Sequence, residues 1–249
     1  MRARICTVLF FIPFILFSQD PLRKRGLSIG LIASPDYSYR MLRPGSSSMD
    51  PAIIQSRNSD EIPKLSYTIG LLSIYQLTNS FSLSLGMEYS VKGEQTRDLA
   101  LSTGASISPG QGFSYTGNSA ESVKFVYNTV YIDLPLKLDY YLMKRRTALY
   151  ISGGISPNIY LFEKVNSATT YSDGSVKKSS SMGQHPSDAY HGINPQGQFG
   201  FGIDLIKKSY RIRIEPVYRM SLMSVNKGSI NGYFYSFGLN LICLFDFSS

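Results

Sequence analysis

Phe81-Ser82-Leu83-Ser84-Leu85-Gly86-Met87-Glu88-Tyr89-Ser90-Val91-Lys92 is the stretch that decides how this chain folds. Every odd position is apolar or aromatic, and every even one is small, polar or charged. Alternation with period two places all the apolar side chains on one face of a β-strand. The run is about 12 residues long, against roughly 5–6 for a strand of a soluble domain. A strand crossing a bilayer at about 45° needs roughly 9–11 residues. The length therefore favours a membrane.

Working outward, the same period predicts eight strands near 26–40, 65–77, 80–92, 123–141, 148–162, 196–206, 209–223 and 232–247. The connections after the second, fourth and sixth are tight: Thr78-Asn79, Leu142 to Thr147, and Lys207-Lys208. Those after the first, third and fifth run about 24 to 33 residues, rich in Ser, Gly, Asn and Asp. Unstructured loops of that length are uncommon in compact soluble domains. Short periplasmic turns alternating with long extracellular loops are the pattern of outer-membrane barrels. The expected architecture is all-β: an eight-stranded antiparallel up-and-down transmembrane β-barrel with long extracellular loops and short periplasmic turns. The loops near 41–64, 93–122 and 163–195 are expected to be accessible and mobile.

The outward faces agree. The second strand shows Leu65, Tyr67, Ile69, Leu71, Ser73, Tyr75 and Leu77; the fourth shows Val130, Ile132, Leu134, Leu136, Leu138 and Tyr140. Aromatics recur eight residues apart on one face: Tyr67 and Tyr75, Phe81 and Tyr89, Tyr210 and Tyr218, Phe237 and Phe245. Eight residues climb roughly 20 Å after tilting, near the height of the apolar band between two aromatic girdles. Pro35, Pro135, Pro157 and Pro216 fall inside predicted strands. A closed barrel offers no free edge for them, so bulges or local ladder breaks are expected there.

The N-terminus supplies a destination. Met1-Arg2-Ala3-Arg4 is basic, Val8 to Phe17 is apolar, and Ser18-Gln19-Asp20 follows. That is the layout of a secretory signal peptide over 1–18, leaving 19–249 as the outer-membrane β-barrel domain. Cys6 would leave with the peptide, and Cys243 alone builds no disulfide framework. No later segment reaches 18 uninterrupted apolar residues, which excludes a helical membrane protein. The net charge of +8 falls to +6 once Arg2 and Arg4 are removed. A mean hydropathy of −0.06 suits a two-faced barrel as well as a soluble sandwich.

The inward faces collect Glu88, Lys92, Lys124, Asp133, Lys137, Asp139, Asp204, Arg211, Arg213, Glu215 and Arg219, with bulky Tyr150 and Tyr160. Eight strands enclose only enough room for side chains. Buried charges survive as paired networks, so a structural polar plug is expected rather than a proton or solute path. Leu72 and Ile74 stand out as apolar residues on that polar face.

Catalytic chemistry finds little support. The two histidines, His185 and His191, share a loop with Ser187 and Asp188 beside Ser179-Ser180-Ser181, where nothing fixes a Ser/His/acid geometry. There is no phosphate-cradling glycine loop, CxxC pair or HExxH motif. The expectation is a protein that is not an enzyme, with no catalytic, cofactor-binding or metal-binding residues and no cofactor. Arg23-Lys24-Arg25, Lys144-Arg145-Arg146 and Lys207-Lys208 fall at the periplasmic rim, placed to meet lipid head groups or a periplasmic protein rather than nucleic acid.

Tyr131-Ile132-Asp133-Leu134-Pro135-Leu136-Lys137-Leu138, followed by Tyr150-Ile151-Ser152-Gly153-Gly154 and Arg213-Ile214-Glu215-Pro216-Val217-Tyr218-Arg219, resembles the PorT-like outer-membrane β-barrel domain family over roughly residues 26 to 247. The resemblance implies a barrel in the outer membrane of a Gram-negative bacterium and carries no catalytic residues. It implies a structural, adhesive or secretion-accessory role, since the family's namesake is tied to type IX secretion. Expected partners are membrane lipids, the barrel-assembly machinery during biogenesis, and a periplasmic or secretion-system protein. A small channel is the alternative, and a loop-sited enzyme a more remote one. One departure is the end, where Phe247 is followed by Ser248 and Ser249 rather than closing on an aromatic.

Overall fold

Eight long strands hydrogen-bond in a closed antiparallel ring in the computed structural model, which describes residues 26–45, 51–101, 119–143, 146–183, 190–207, 210–227 and 230–247. They are β1 (Leu27–Pro44), β2 (Lys64–Gln76), β3 (Phe81–Lys92), β4 (Ala120–Asp133, continued by Leu136–Met143), β5 (Thr147–Tyr171), β6 (Ile193–Ile206), β7 (Tyr210–Ser221) and β8 (Ile230–Asp246). Each pairs with its neighbours in chain order, and β8 closes on β1 from Ser28↔Asp246 to Pro44↔Ile230. Closure removes the sheet edges that an open sheet of this size would expose. The segment expected to be the signal peptide lies outside the described residues.

Alternation holds along the walls. In β2 Leu65, Tyr67, Ile69, Leu71 and Tyr75 are exposed while Lys64, Ser66, Thr68, Leu72, Ile74 and Gln76 are buried. The register lines the aromatics up in two tiers. Tyr218, Phe237 and Tyr37 are cross-strand partners in one, where Tyr67 also lies 6.4 Å from Tyr89. Tyr210 pairs with Phe245 in the other, where Phe81 lies 5.0 Å from Tyr140. Val130 departs from the expected lipid-facing row, because it is buried beside its cross-strand partners Val91 and Phe162.

Three of the four prolines interrupt the ladder, as a missing donor requires. The β1–β8 register skips from Ala33↔Leu241 to Asp36↔Gly238 around Pro35. The β6–β7 register skips from Gly200↔Val217 to Ile203↔Ile214 around Pro216. β4 breaks at Leu134 and Pro135, where Leu134 N donates to Pro157 O and Gly86 N donates to Pro135 O, both at 3.0 Å. Pro157 instead stays in register with Pro195.

Where they are described, the long connections carry regular elements instead of the irregular chain expected. The first carries helix α1 (Pro51–Asp60), with proline at its start and Arg57 in its last turn, as the helix ends prefer. Asn58 bonds both Leu42 N (3.0 Å) and Leu42 O (2.9 Å), standing in for a neighbouring strand beyond the end of β2. Glu61–Ile62 then pairs with Gln95–Thr96 from the second loop. In the third, β5 runs on to Tyr171, turns at Gly174 and returns as a strand over Val176–Gly183. Ser179, Ser180 and Ser181 therefore belong to a hairpin strand. Together with the start of β4, this hairpin forms a three-stranded blade above the barrel.

Candidate functional site

The lumen is filled from end to end, because alternation sends every second side chain into a ring too narrow to leave a bore. At the end bearing the tight turns, Ile32, Leu72, Ile74, Ile242 and Leu244 form an apolar cluster. Leu72 and Ile74 break the polar pattern of β2 because they close this end. Opposite them stand Tyr141, Ala148 and Tyr150. Arg213 reaches across the ring from β7 to β4. Its Nη1 donates to Asp139 Oδ2 at 2.8 Å and its Nε to Asp204 Oδ2 at 3.1 Å, while Nη2 donates to Tyr141 OH. Its guanidinium lies 4.5 Å from the Tyr150 ring centre. Ser82 and Ser84 also donate to Asp139 Oδ2, at 3.1 and 2.9 Å. Arg211 binds Asp204 at 3.2 Å and Ser28 at 2.9 Å.

Halfway up, Lys137 donates to Glu215 Oε1 at 2.8 Å, and Tyr150 OH donates to Glu215 Oε2 at 2.9 Å. Arg219 bridges Asp36 and Asn240, each at 2.7 Å. Gly238 makes that approach possible, since a Cβ there would sit 1.9 Å from Asp36 Oδ1. Higher still, Lys92 donates to Asp133 at 2.9 Å and to Gln196 at 3.1 Å. All ten of these lumen charges predicted from periodicity, Lys124 excepted, are buried. Glu88 is the least well matched, with Oε2 buried and unbonded. Lys124 is corrected: it lies in the blade and falls on the alternate face from Tyr127 and Thr129, which point toward Arg40 and Glu163.

The extracellular mouth holds groups that periodicity did not reveal. Arg40 lies 3.3 Å from Glu61 and 2.6 Å from Glu94, all three buried. Arg57 of helix α1 reinforces Glu61 at 2.7 Å. Gly93, with φ +136°, turns the chain so that Glu94 enters the mouth; a Cβ there would meet Tyr127 O at 2.2 Å. Neither Glu94 oxygen has a hydrogen-bond donor in good geometry. Burial pushes its carboxyl up to about 7 against the pull of Arg40, and Glu61 and Glu163 add to the rise. Across the mouth, Tyr190 OH donates to Glu163 Oε1 at 2.9 Å, and Tyr131, Tyr190, Val225 and Phe234 pack as an aromatic lid with Tyr160 stacked on Tyr190.

Asp36 and Arg40 were missed, although their alternation with Tyr37 and Tyr39 carries the signal that would have found them. Glu61 and Glu94 sit in loops without a period, and Glu163 follows a bulge. Of the loop residues weighed and set aside as a Ser/His/acid set, His185, Ser187 and Asp188 lie outside the described residues, while His191 N donates to Val225 O at 2.9 Å. Among the described residues no cluster of His, Cys, Asp and Glu could hold a metal ion.

A closed ring with lipid-facing girdles and a packed polar interior describes an outer-membrane barrel, and residues 17–227 match the model of the outer membrane protein beta-barrel domain family. The chain belongs to that family. It is an outer-membrane protein. Among curated proteins, none matches it in sequence. Solved structures with a similar shape include Neisserial surface protein A, at 10% identity and TM-score 0.40, covering 87% of this chain and 96% of that one. Another is Ail, the attachment invasion locus protein of Yersinia pestis, at 11% identity and TM-score 0.37, covering 89% and 100%. The outer membrane protease OmpT of Escherichia coli matches at 8% identity and TM-score 0.40, covering 89% and 97%.

Proposed function

We propose that this barrel is a non-enzymatic, non-conducting stem that holds an ordered extracellular structure outside the membrane, in a structural, adhesive or secretion-accessory role of the PorT-like kind. The observation that carries the reading is the double seal. Apolar side chains fill the periplasmic end, an aromatic lid and the Arg40 cage fill the mouth, and cross-lumen ion pairs occupy the space between. Acids and bases committed to one another inside a narrow ring support rigidity rather than transport or catalysis. The partners in this role are outer-membrane lipids, the assembly machinery that inserts the barrel, and a periplasmic or secretion-system protein at the basic rim.

Reconstitution in planar bilayers tests it. The purified protein should show no steady open state. Stable conductance that disappears in lumen variants of unchanged thermal stability would replace this reading with that of a small channel.

A further inference from the structure

The outer face of the blade changes from apolar to basic as it leaves the barrel. β5 is the longest strand, and its lipid-side residues Ile155, Ile159 and Leu161 are exposed, as is Ile193, the cross-strand partner of Ile159. A bulge then skips Leu161 in the pairing with β4, so that Glu163 turns into the lumen and Lys164 continues the outer face. Met182, 70% exposed, is the partner of Lys164. Two rungs further out on the same face, Lys124 and Lys178 flank Ala168 from the two neighbouring strands. Their Cα atoms are about 10 Å apart, and Lys164 lies roughly 13 Å down the strand from that rung.

Between these lysines lie Ser180, Asn166 and Val126, again one rung. Between Lys164 and Lys178, on β5 and its returning strand, this face carries no carboxylate; Asp98, next to Leu99, the partner of Val123, lies beside Lys124 without an ion pair. None of the three lysines is held in an ion pair among the described residues. Lys178 is exposed, and Lys124 and Lys164 are half-buried. Three cations with no ion-pair partner among the described residues, spaced over hydroxyl and amide side chains, fit phosphate groups carried on a sugar. The apolar strip below them is continuous with the lipid-facing wall.

We propose that this face binds a phosphorylated glycolipid of the outer leaflet, its acyl chains against Ile155, Ile159, Leu161 and Ile193 and its phosphates on Lys164, Lys124 and Lys178. The continuity with the lipid-facing wall favours a membrane-anchored ligand over a soluble polyanion. The proposal shares with the proposed function only the extracellular position of the blade, and a conducting lumen would leave it untouched.

The test uses the full chain in phosphatidylcholine vesicles containing bisphosphorylated lipid A, its dephosphorylated form, or neither, with inositol hexakisphosphate as a soluble probe. Native mass spectrometry after detergent extraction counts the glycolipid retained per barrel. Bisphosphorylated lipid A should stay bound and the dephosphorylated form should not. The triple variant Lys124→Gln, Lys164→Gln, Lys178→Gln should bind roughly tenfold more weakly or worse, while Lys207→Gln at the opposite rim binds normally. Should the triple variant fail to fold, Lys178→Gln alone, on the outermost strand, should still lower retention. Equal retention by wild type and variants, or by phosphorylated and dephosphorylated lipid, overturns the proposal. Inositol hexakisphosphate binding the lysines as tightly as the lipid also overturns it, in favour of a soluble polyanion.

Discussion

At the periplasmic end of the lumen Arg213 is held by Asp139 and Asp204, at 2.8 and 3.1 Å, with serine and tyrosine hydroxyls completing the set. At the extracellular end Arg40 is shared by Glu61 and Glu94, with Glu163 close enough to add its charge and no hydrogen-bond donor in good geometry on Glu94. Both regions are buried, yet their charge balance differs. Near Arg213 the two buried arginines meet two buried aspartates, Asp139 and Asp204, with Asp246 beside Arg211 at the rim, so each guanidinium has a carboxylate within 3.2 Å. Around Arg40 three carboxylates, Glu61, Glu94 and Glu163, face one buried arginine, and the Glu94 carboxyl is pushed up to about 7. Some carboxylate oxygens stay unbonded at both ends, Asp139 Oδ1 and Asp204 Oδ1 as well as both of Glu94, so it is the matching of charge that separates the two regions.

Arg213→Ala tests the locked end hardest. It leaves Asp139 and Asp204 short of their main donor, and unfolding by urea in vesicles should show a loss of about 3–5 kcal/mol. A loss no larger than that of a surface substitution would mean that water or rearranged side chains already serve these acids. Arg40→Ala at the mouth should cost less, about 1.5–3 kcal/mol, because Arg57 still holds Glu61 and Glu94 can stay protonated. Equal losses at the two ends would erase the distinction drawn between them.

The smallest effect is a dependence on pH. The Glu94 carboxyl is raised from 4.5 to about 7 in the folded protein, so between those values the folded state binds more protons than the unfolded one. Stability from this group is then full below about 4.5 and falls as pH rises through about 7. Protection of the 51–60 helix against hydrogen exchange, taken relative to the intrinsic rate at each pH, should fall over that window, since Glu61, directly after the helix, shares Arg40 with Glu94. Glu94→Gln should flatten the profile. A profile that Glu94→Gln leaves unchanged would place the titrating group elsewhere.

The walls of this barrel were readable at the level of single residues. Period two placed Tyr67 and Tyr75 toward lipid and Arg211, Arg213, Glu215 and Arg219 inside, because the face of a strand residue follows from local backbone geometry alone. Pro35, Pro135 and Pro216 announced their ladder breaks for an equally local reason, the missing N–H, while Pro157 stayed in register. The loops were less readable: Asn58 mimicking a strand beside Leu42, or Ser179 to Ser181 within a hairpin, depends on neighbours far away in sequence.

Local alternation thus determined strand number, strand faces and the presence of buried charge without reference to any fold. Partner choice was decided by closure of the ring. Arg213 meets Asp139, and Lys137 meets Glu215, only because the stagger of a closed sheet brings β4 and β7 face to face across the lumen. The Leu161 bulge likewise reverses the parity of β5, sending Glu163 inward and Lys164 outward. Glu61 and Glu94, which no period marks, reach Arg40 through a helix and a positive-φ glycine. Which face a side chain takes is a property of its own strand; which charge it meets is a property of all eight.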